Sequence, residues 1–246
     1  MPQANINGLN LEYETFGNPA APGMLLIMGL GSQLIQWPVT LCQQLADSGH
    51  FVIRYDHRDI GLSSRMDHLM VPDVRWAFLR HRLGLKPNIP YSLLDLAQDA
   101  LGLLDFLHIK QAHLVGVSMG GMIAQLLAIH FPARVLSLTS VMSTTGNPKL
   151  PKATPAAQVA LAAPVKRRRT GGHDGEPGIE DLVDQSVAGW KAISSPGFPP
   201  NEQTLRAQCE AVIRRGHHGP GIARHLLACL CTTDRRKQLQ QLALPT

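Results

Sequence analysis

The stretch HLVGVSMGGMIAQLL, residues 113–127, places Ser118 among glycines between two apolar runs. The first run, AHLVGV at 112–117, predicts a buried strand. The second, GMIAQLLAI at 121–129, is apolar nearly all round and predicts a buried helix that ends before Pro132. The serine therefore lies at a turn from a strand into a helix, within a Gly-x-Ser-x-Gly motif.

The glycines around Ser118 are the residue types that a sharp, strained turn requires. Side chains at 116 and 120 would collide in such a turn, and Gly116 and Gly120 remove them, while Gly121 lets the helix pack closely. The turn would expose the hydroxyl at the carboxyl edge of the sheet. It would also direct the N–H of Met119 toward the place where an oxyanion forms. The alternative is a glycine-rich turn that carries its serine by chance.

Strands and helices alternate on both sides of this turn. A Ser92-x-x-Asp95 cap begins the clearest helix, over 92–108, and another helix begins at Pro38. Strands are predicted at 4–7, 10–16, 24–30, 51–55, 112–117 and 135–142. Such alternation predicts an α/β fold with a doubly wound, mostly parallel sheet.

The character of the chain changes after Met142. Residues 144–178 are rich in proline, glycine, alanine and lysine, and helical segments follow near 179–193, 202–215, 220–230 and 234–242. We therefore predict an α/β core over 1–143, a helical cap over 144–242, and the beginning of a further core strand at 243–246.

Composition restricts the partners. The 246 residues are 44% apolar and 17% charged, with a net charge of +5. The basic run KRRR at 166–169 has no interleaved aromatic residues, so we predict a solvated surface run and no nucleic-acid partner. No apolar run approaches the roughly 18 residues of a membrane span, and the first residues do not resemble a signal peptide. These features predict a cytoplasmic protein without a membrane partner.

The cysteines give no sign of a metal centre or a disulfide framework. Their spacing matches neither, so reduced thiols and no metal are predicted for Cys42, Cys209, Cys229 and Cys231.

Three motifs together resemble the α/β-hydrolase superfamily. They are GVSMG at 116–120, MGLGSQLIQW at 28–37 and YDHRDIGLSS at 55–64, in which Asp59 stands where the family has glycine. With YSLLDLAQDALGLLDFL at 91–107, they are similar to the serine esterase branch that includes aclacinomycin methylesterase. The resemblance covers essentially the whole chain.

The resemblance implies a role for each matching residue. Ser118 would be the nucleophile that attacks a small carboxylic ester, without a cofactor. The N–H groups of Leu30 and Met119 would hold the oxyanion, with Gly29 retained beside them and Met28 where the family has histidine. Asp56 and Arg58 are interpreted as structural support that ties the end of a strand to neighbouring loops.

The catalytic acid and histidine are the partners that the resemblance does not locate. In this superfamily they follow the serine, after later strands, and this sequence reaches only LALPT at 242–246. We therefore expect neither partner in the chain, which we interpret as C-terminally truncated, lacking the last two strand–helix units. None of the histidines inside it is a convincing base: His57, His173 beside Asp174, His217 and His218. The 135–142 strand would then be an exposed edge, open to self-association.

Two classes of function remain open. The first is a serine esterase that acts on a small-molecule ester, and the same constellation also fits haloperoxidase-like perhydrolysis. The second is a catalytically inactive truncated or pseudo-hydrolase that binds a small molecule or a partner.

Overall fold

The computed structural model of the protein describes residues 1–151, 154–155, 157 and 177–246. The basic run at 166–169 and the pair His173 and Asp174 lie outside these described residues.

The core is one six-stranded sheet in the order β1-β2-β4-β3-β5-β6. β1 and β2 are antiparallel to each other, and β2 is antiparallel to β4, whereas β4, β3, β5 and β6 are parallel. The strands are β1 Gln3–Ile6, β2 Leu9–Phe16, β3 Gly23–Ile27, β4 Phe51–Tyr55, β5 Ala112–Val117 and β6 Val135–Val141. The predicted α/β fold with a doubly wound, mostly parallel sheet is confirmed.

Helices cover both faces of this sheet. The α-helices of the described residues are α1 Val39–Asp47, α2 Val74–Arg82, α3 Leu93–Phe106, α4 Met119–His130, α5 Ile179–Ile193, α6 Glu202–Gly216, α7 Gly219–Leu230 and α8 Arg236–Leu239. Of these, α1 packs on one face of the sheet, and α3 and α4 pack on the other. No described helix is both long and apolar enough to cross a membrane.

Alternation along the central strands divides the core into two layers. Leu25 and Ile27 of β3 belong to the larger cluster, with buried residues of α3 and α4. Leu26 and Met28 point to the other face and pack with Cys42 of α1. Successive side chains of a strand point to opposite faces, so a strand that is buried throughout requires helices on both sides.

Contacts divide the chain into two compact units that differ from the predicted boundaries. The first comprises Met1–Pro148 with His218–Thr246, and the second comprises Lys149–His217. The predicted cap extended to 242, but residues from His218 onward pack with the core because Arg224 and Arg235 are buried in it. Within the second unit, α5 packs against α6 through Val183, Val187, Leu205, Cys209 and Ile213.

Two further features bear on the predicted elements. Helix α2 lies in a stretch of the chain for which no helix was predicted. The end of the chain lies alongside β6, since the Leu138 N–H donates to the Pro245 carbonyl over 2.9 Å. The last three residues of β6 are exposed.

Candidate active site

Ser118 occupies a strained turn between β5 and α4. Its backbone has φ 54° and ψ −117°, a conformation that L-residues rarely adopt and that costs about 1–3 kcal/mol. The strain is held by hydrogen bonds to the backbone on both sides. The Ser118 N–H donates to the Val141 carbonyl over 2.9 Å, and the Ser143 hydroxyl donates to the Ser118 carbonyl over 2.7 Å. The residue is exposed, so the turn presents its hydroxyl to solvent.

The neighbouring glycines leave no room for a side chain. A Cβ atom at Gly116 would lie 2.3 Å from the Gly120 carbonyl oxygen, and one at Gly120 would lie 2.0 Å from the Ile27 carbonyl oxygen. A Cβ atom at Gly121 would lie 2.6 Å from Cβ of Ser143. The first two contacts are with backbone, which cannot move aside as a flexible side chain can. The serine turn therefore depends on glycine at these positions.

Two backbone amides next to Ser118 are available to a ligand. β3 and β5 are parallel neighbours, so the loop after β3 and the serine after β5 meet at the same edge of the sheet. A Cβ atom at Gly29 would lie 3.4 Å from Cβ of Ser118, which places Leu30 directly beside the turn. Among the described residues, neither the Leu30 nor the Met119 amide donates a hydrogen bond to the protein. Free N–H groups beside a nucleophile can stabilise a negatively charged oxygen.

Asp56 holds the loop that contains Leu30. Its buried carboxylate accepts hydrogen bonds from the N–H of Leu34 at 2.7 Å and from the N–H of Leu62 at 3.0 Å. The end of β4 is thereby tied to the loops on both sides. Arg58 is anchored elsewhere: it binds the carboxylate of Asp99 on α3 through two hydrogen bonds of 2.5 and 2.6 Å.

His57 also supports the loop that contains Leu30. Its Nε2–H donates to the Met28 carbonyl over 2.9 Å, and the ring is almost completely buried. Burial lowers the pKa of His57, because the charged imidazolium is poorly solvated there. The ring is therefore neutral, and its Nε2 proton is committed to a backbone carbonyl, so His57 positions the loop.

Asp59 is the residue whose role the sequence did not reveal. Its backbone has φ 69°, the left-handed conformation that the glycine of the family motif would adopt freely. Its buried carboxylate accepts two hydrogen bonds from Arg224 of α7, at 2.8 and 2.9 Å, and others from the Tyr91 hydroxyl and the Met66 N–H, both at 2.7 Å. Burial acts to raise the pKa of Asp59, but these hydrogen bonds outweigh it, so the pKa is lowered. The ion pair between Asp59 and Arg224 joins α7 to the loop after β4.

No described histidine of the first unit is placed as a base for Ser118. The serine hydroxyl has no hydrogen-bond partner among the described residues. His218 lies between the Asp59 carbonyl, at 3.0 Å, and the Asp67 carboxylate, at 2.8 Å. His225 bonds the Arg58 carbonyl at 3.0 Å, and burial lowers its pKa to about 3. His217 belongs to the second unit.

The described residues contain no group of three or more histidine, cysteine or acidic side chains that could hold a metal ion. Burial raises the pKa of Cys229 to about 12, and it also raises the pKa of the Cys42 thiol. All four cysteines are free thiols.

The mostly parallel sheet, with a strained serine turn at the carboxyl ends of its parallel strands, defines the class of fold, and comparison with known proteins identifies the family. The alpha/beta hydrolase fold family matches residues 22–170. A rhodomycin D methylesterase of Streptomyces sp. (strain C5) is 33% identical over 225 residues, which is 86% of this chain and 67% of that protein. A 3-oxoadipate enol-lactonase of Acinetobacter baylyi is 30% identical over 241 residues, 96% of this chain and 72% of its own.

A solved structure supports the same assignment. The chain superimposes on a hydrolase from Pseudomonas aeruginosa with a TM-score of 0.64 and 26% identity, covering 100% of this chain and 77% of that one. The protein belongs to the alpha/beta hydrolase fold family, and its relatives include methylesterases and an enol-lactonase.

Proposed function

We propose that the protein is a serine hydrolase that acts on a small carboxylic ester, in the manner of a methylesterase. The observation that carries this proposal is the strained, exposed Ser118 beside the free amides of Leu30 and Met119. Relatives that act on a methyl ester and on an enol-lactone, both carboxylic esters, support the substrate class.

In the proposed reaction, the Ser118 oxygen attacks the ester carbonyl carbon and gives up its proton to a general base. The carbonyl oxygen becomes an oxyanion that accepts hydrogen bonds from the Leu30 and Met119 amides. Collapse of the intermediate releases the alcohol, which takes the proton, and leaves an acyl-serine. Water then releases the acid and restores the serine. The proposal therefore requires a base outside the described residues of the first unit, and it departs here from the sequence-based expectation that the chain holds neither catalytic partner.

The experiment is hydrolysis of p-nitrophenyl butyrate by the wild type, by Ser118→Ala and by Ser195→Ala, which removes another exposed serine hydroxyl. In a serine protease, loss of the nucleophile alone lowers turnover on the order of 10⁶-fold. We expect Ser118→Ala to abolish turnover and Ser195→Ala to leave it unchanged. Turnover that is absent from the wild type, or that survives Ser118→Ala, would contradict the proposal.

A second candidate is a non-catalytic binding protein of the same fold. The observation that favours it is the serine hydroxyl, which has no hydrogen-bond partner among the described residues. This candidate predicts that a butyrate ester binds in calorimetry with equal affinity to the wild type and to Ser118→Ala, and that neither hydrolyses it.

A further inference from the structure

Helix α2 carries a row of large apolar side chains that are exposed to solvent. Trp76 is 65% exposed, Leu79 is 44% exposed and Leu83, directly after the helix, is 65% exposed. Their spacing of three and then four residues puts them on one side of a helix. Met70 and Leu85, before and after the helix, are exposed as well. A continuous exposed apolar patch, unlike scattered apolar residues, marks an interaction surface.

The opposite side of α2 is attached to the core. Ala77 is buried there, and His81, one turn later, donates from Nε2 to the Thr232 carbonyl over 3.2 Å. Asp73 caps the helix by accepting from the Trp76 N–H at 2.9 Å. The helix is thus held in place by one face, and the apolar row faces away from the protein.

Basic side chains flank the apolar row on both sides. At helical spacing, Arg75 and Arg82 lie along one flank, and Arg80 lies along the other. With Lys86 they give four cationic side chains, against one acidic residue in 70–86, the helix cap Asp73. Within the described residues, none of these four cations forms a salt bridge. We call residues 70–86 the α2 surface.

We propose that the α2 surface binds the interface of a membrane that contains anionic lipids. An apolar row bordered by arginines is the pattern of a helix that lies in the membrane plane, with its apolar face among the acyl chains. The aliphatic stems of the arginines can follow the apolar surface while their guanidinium groups bind lipid phosphates. The absence of a run long enough to span a bilayer predicted no membrane partner, but a helix that lies in the membrane plane does not need to span it.

Charge selects this occupant over a second copy of the chain. In a symmetric dimer the same patch would meet itself, so the arginines of one copy would face those of the other. The interface of an anionic membrane satisfies both features of the patch, the apolar row and its net positive charge.

The surface also lies near the candidate active site. Helix α7, against which α2 packs, reaches the loop of Leu30, because a Cβ atom at Gly31 would lie 3.1 Å from Cγ1 of Ile222. On the proposed function, docking through α2 would bring Ser118 close to esters dissolved in the bilayer. The binding itself does not depend on that function.

The test is cosedimentation of the 246-residue chain with two kinds of vesicle, pure phosphatidylcholine and an equimolar mixture of phosphatidylcholine and phosphatidylglycerol. All variants carry Ser118→Ala, so that binding is measured without hydrolysis. We expect binding to the anionic vesicles that weakens with salt, and little binding to the neutral ones. Each arginine near the surface adds about a fivefold gain in partitioning, so Arg75→Gln with Arg82→Gln should lower it about 25-fold.

Matched controls keep this test specific. Trp76→Ser should weaken binding and remove a blue shift of tryptophan emission, whereas Phe198→Ser, at an exposed apolar residue of the second unit, should change neither. Lys110→Gln removes an exposed cation away from α2 and should bind as the parent does. Equal binding to both vesicles, no binding, or binding unaffected by the α2 variants would overturn the proposal. Self-association that depends on Trp76 without vesicle binding would assign the surface to a second copy instead.

Discussion

The buried ion pair between Asp59 and Arg224 gives the sharpest prediction about stability. Both side chains are almost fully buried, and two hydrogen bonds join them, at 2.8 and 2.9 Å. Arg224→Met keeps an unbranched chain of similar length but leaves the Asp59 carboxylate buried without its cation. It also removes the hydrogen bond from Arg224 to the Leu69 carbonyl, at 2.9 Å. Breaking a buried pair by removing one partner costs about 3–5 kcal/mol.

Urea and thermal unfolding, followed by circular dichroism, measure this loss. For a chain of this size, about 1 kcal/mol corresponds to a shift in Tm of roughly 2–4 °C, so a fall of roughly 6–20 °C is expected. Arg214→Met, which breaks the exposed pair with Glu210, is the matched control and should cost less than about 1 kcal/mol. Asp59→Asn, which tolerates the left-handed backbone, should cost less in the Arg224→Met background than alone.

The pH dependence of the same pair has a definite sign. The pKa of Asp59 in the folded protein lies below its ordinary value of 3.8, because the hydrogen bonds outweigh burial. The pair therefore contributes fully above that value, and its contribution is lost as the pH falls through the folded pKa. In Arg224→Met the pKa of Asp59 should lie higher than in the wild type, because Arg224 no longer lowers it. The stability gap between the two proteins should therefore be full at neutral pH and narrow as the pH falls into acid through that higher pKa. A gap below about 1 kcal/mol at neutral pH, or one no larger than that of the control, would refute this reasoning.

Three other predictions concern the serine turn and its surroundings. Ser118→Gly should raise Tm by about 2–4 °C relative to Ser118→Ala. Glycine adopts a φ of 54° freely, and the strain that it relieves is about 1 kcal/mol. Equal melting temperatures of the two variants would argue against strain at this turn. Gly120→Ala should lower the folded signal and the Tm in a circular dichroism melt, since its Cβ would meet the Ile27 carbonyl. Gly189→Ala is the control, because a Cβ atom there has no neighbour within 4 Å. Because burial raises the pKa of Cys229 to about 12, its thiol should react with a disulfide reagent much more slowly in the native protein than after unfolding. Equally fast labelling of Cys229 in the native and the unfolded protein would contradict this.

The serine turn could be predicted because its requirements are local. The motif lies within a few residues of sequence, and the close contacts at Gly116 and Gly120 are with backbone only a few residues away or on the adjacent strand. The strands could also be predicted from local sequence, since a parallel strand covered on both faces is apolar throughout. The fold class followed from these elements.

The remaining features depend on contacts that are distant in sequence. Asp59 looked like a mere replacement of a glycine, because its partner Arg224 is 165 residues away. The commitment of His57 to the Met28 carbonyl is likewise visible only once β3 and β4 are side by side. Helix α2 was not predicted because apolar periodicity indicates helices that bury their apolar face, whereas α2 exposes its large apolar side chains.

The most direct test of the central claim is to label the protein with a fluorophosphonate and map the adduct by mass spectrometry. If Ser118 is the nucleophile of an ester hydrolase, the reagent should form one adduct, on the peptide that contains Ser118. The adduct should be absent from Ser118→Ala and unchanged in Ser195→Ala. No adduct on the native protein, or an adduct that persists in Ser118→Ala, would contradict the claim.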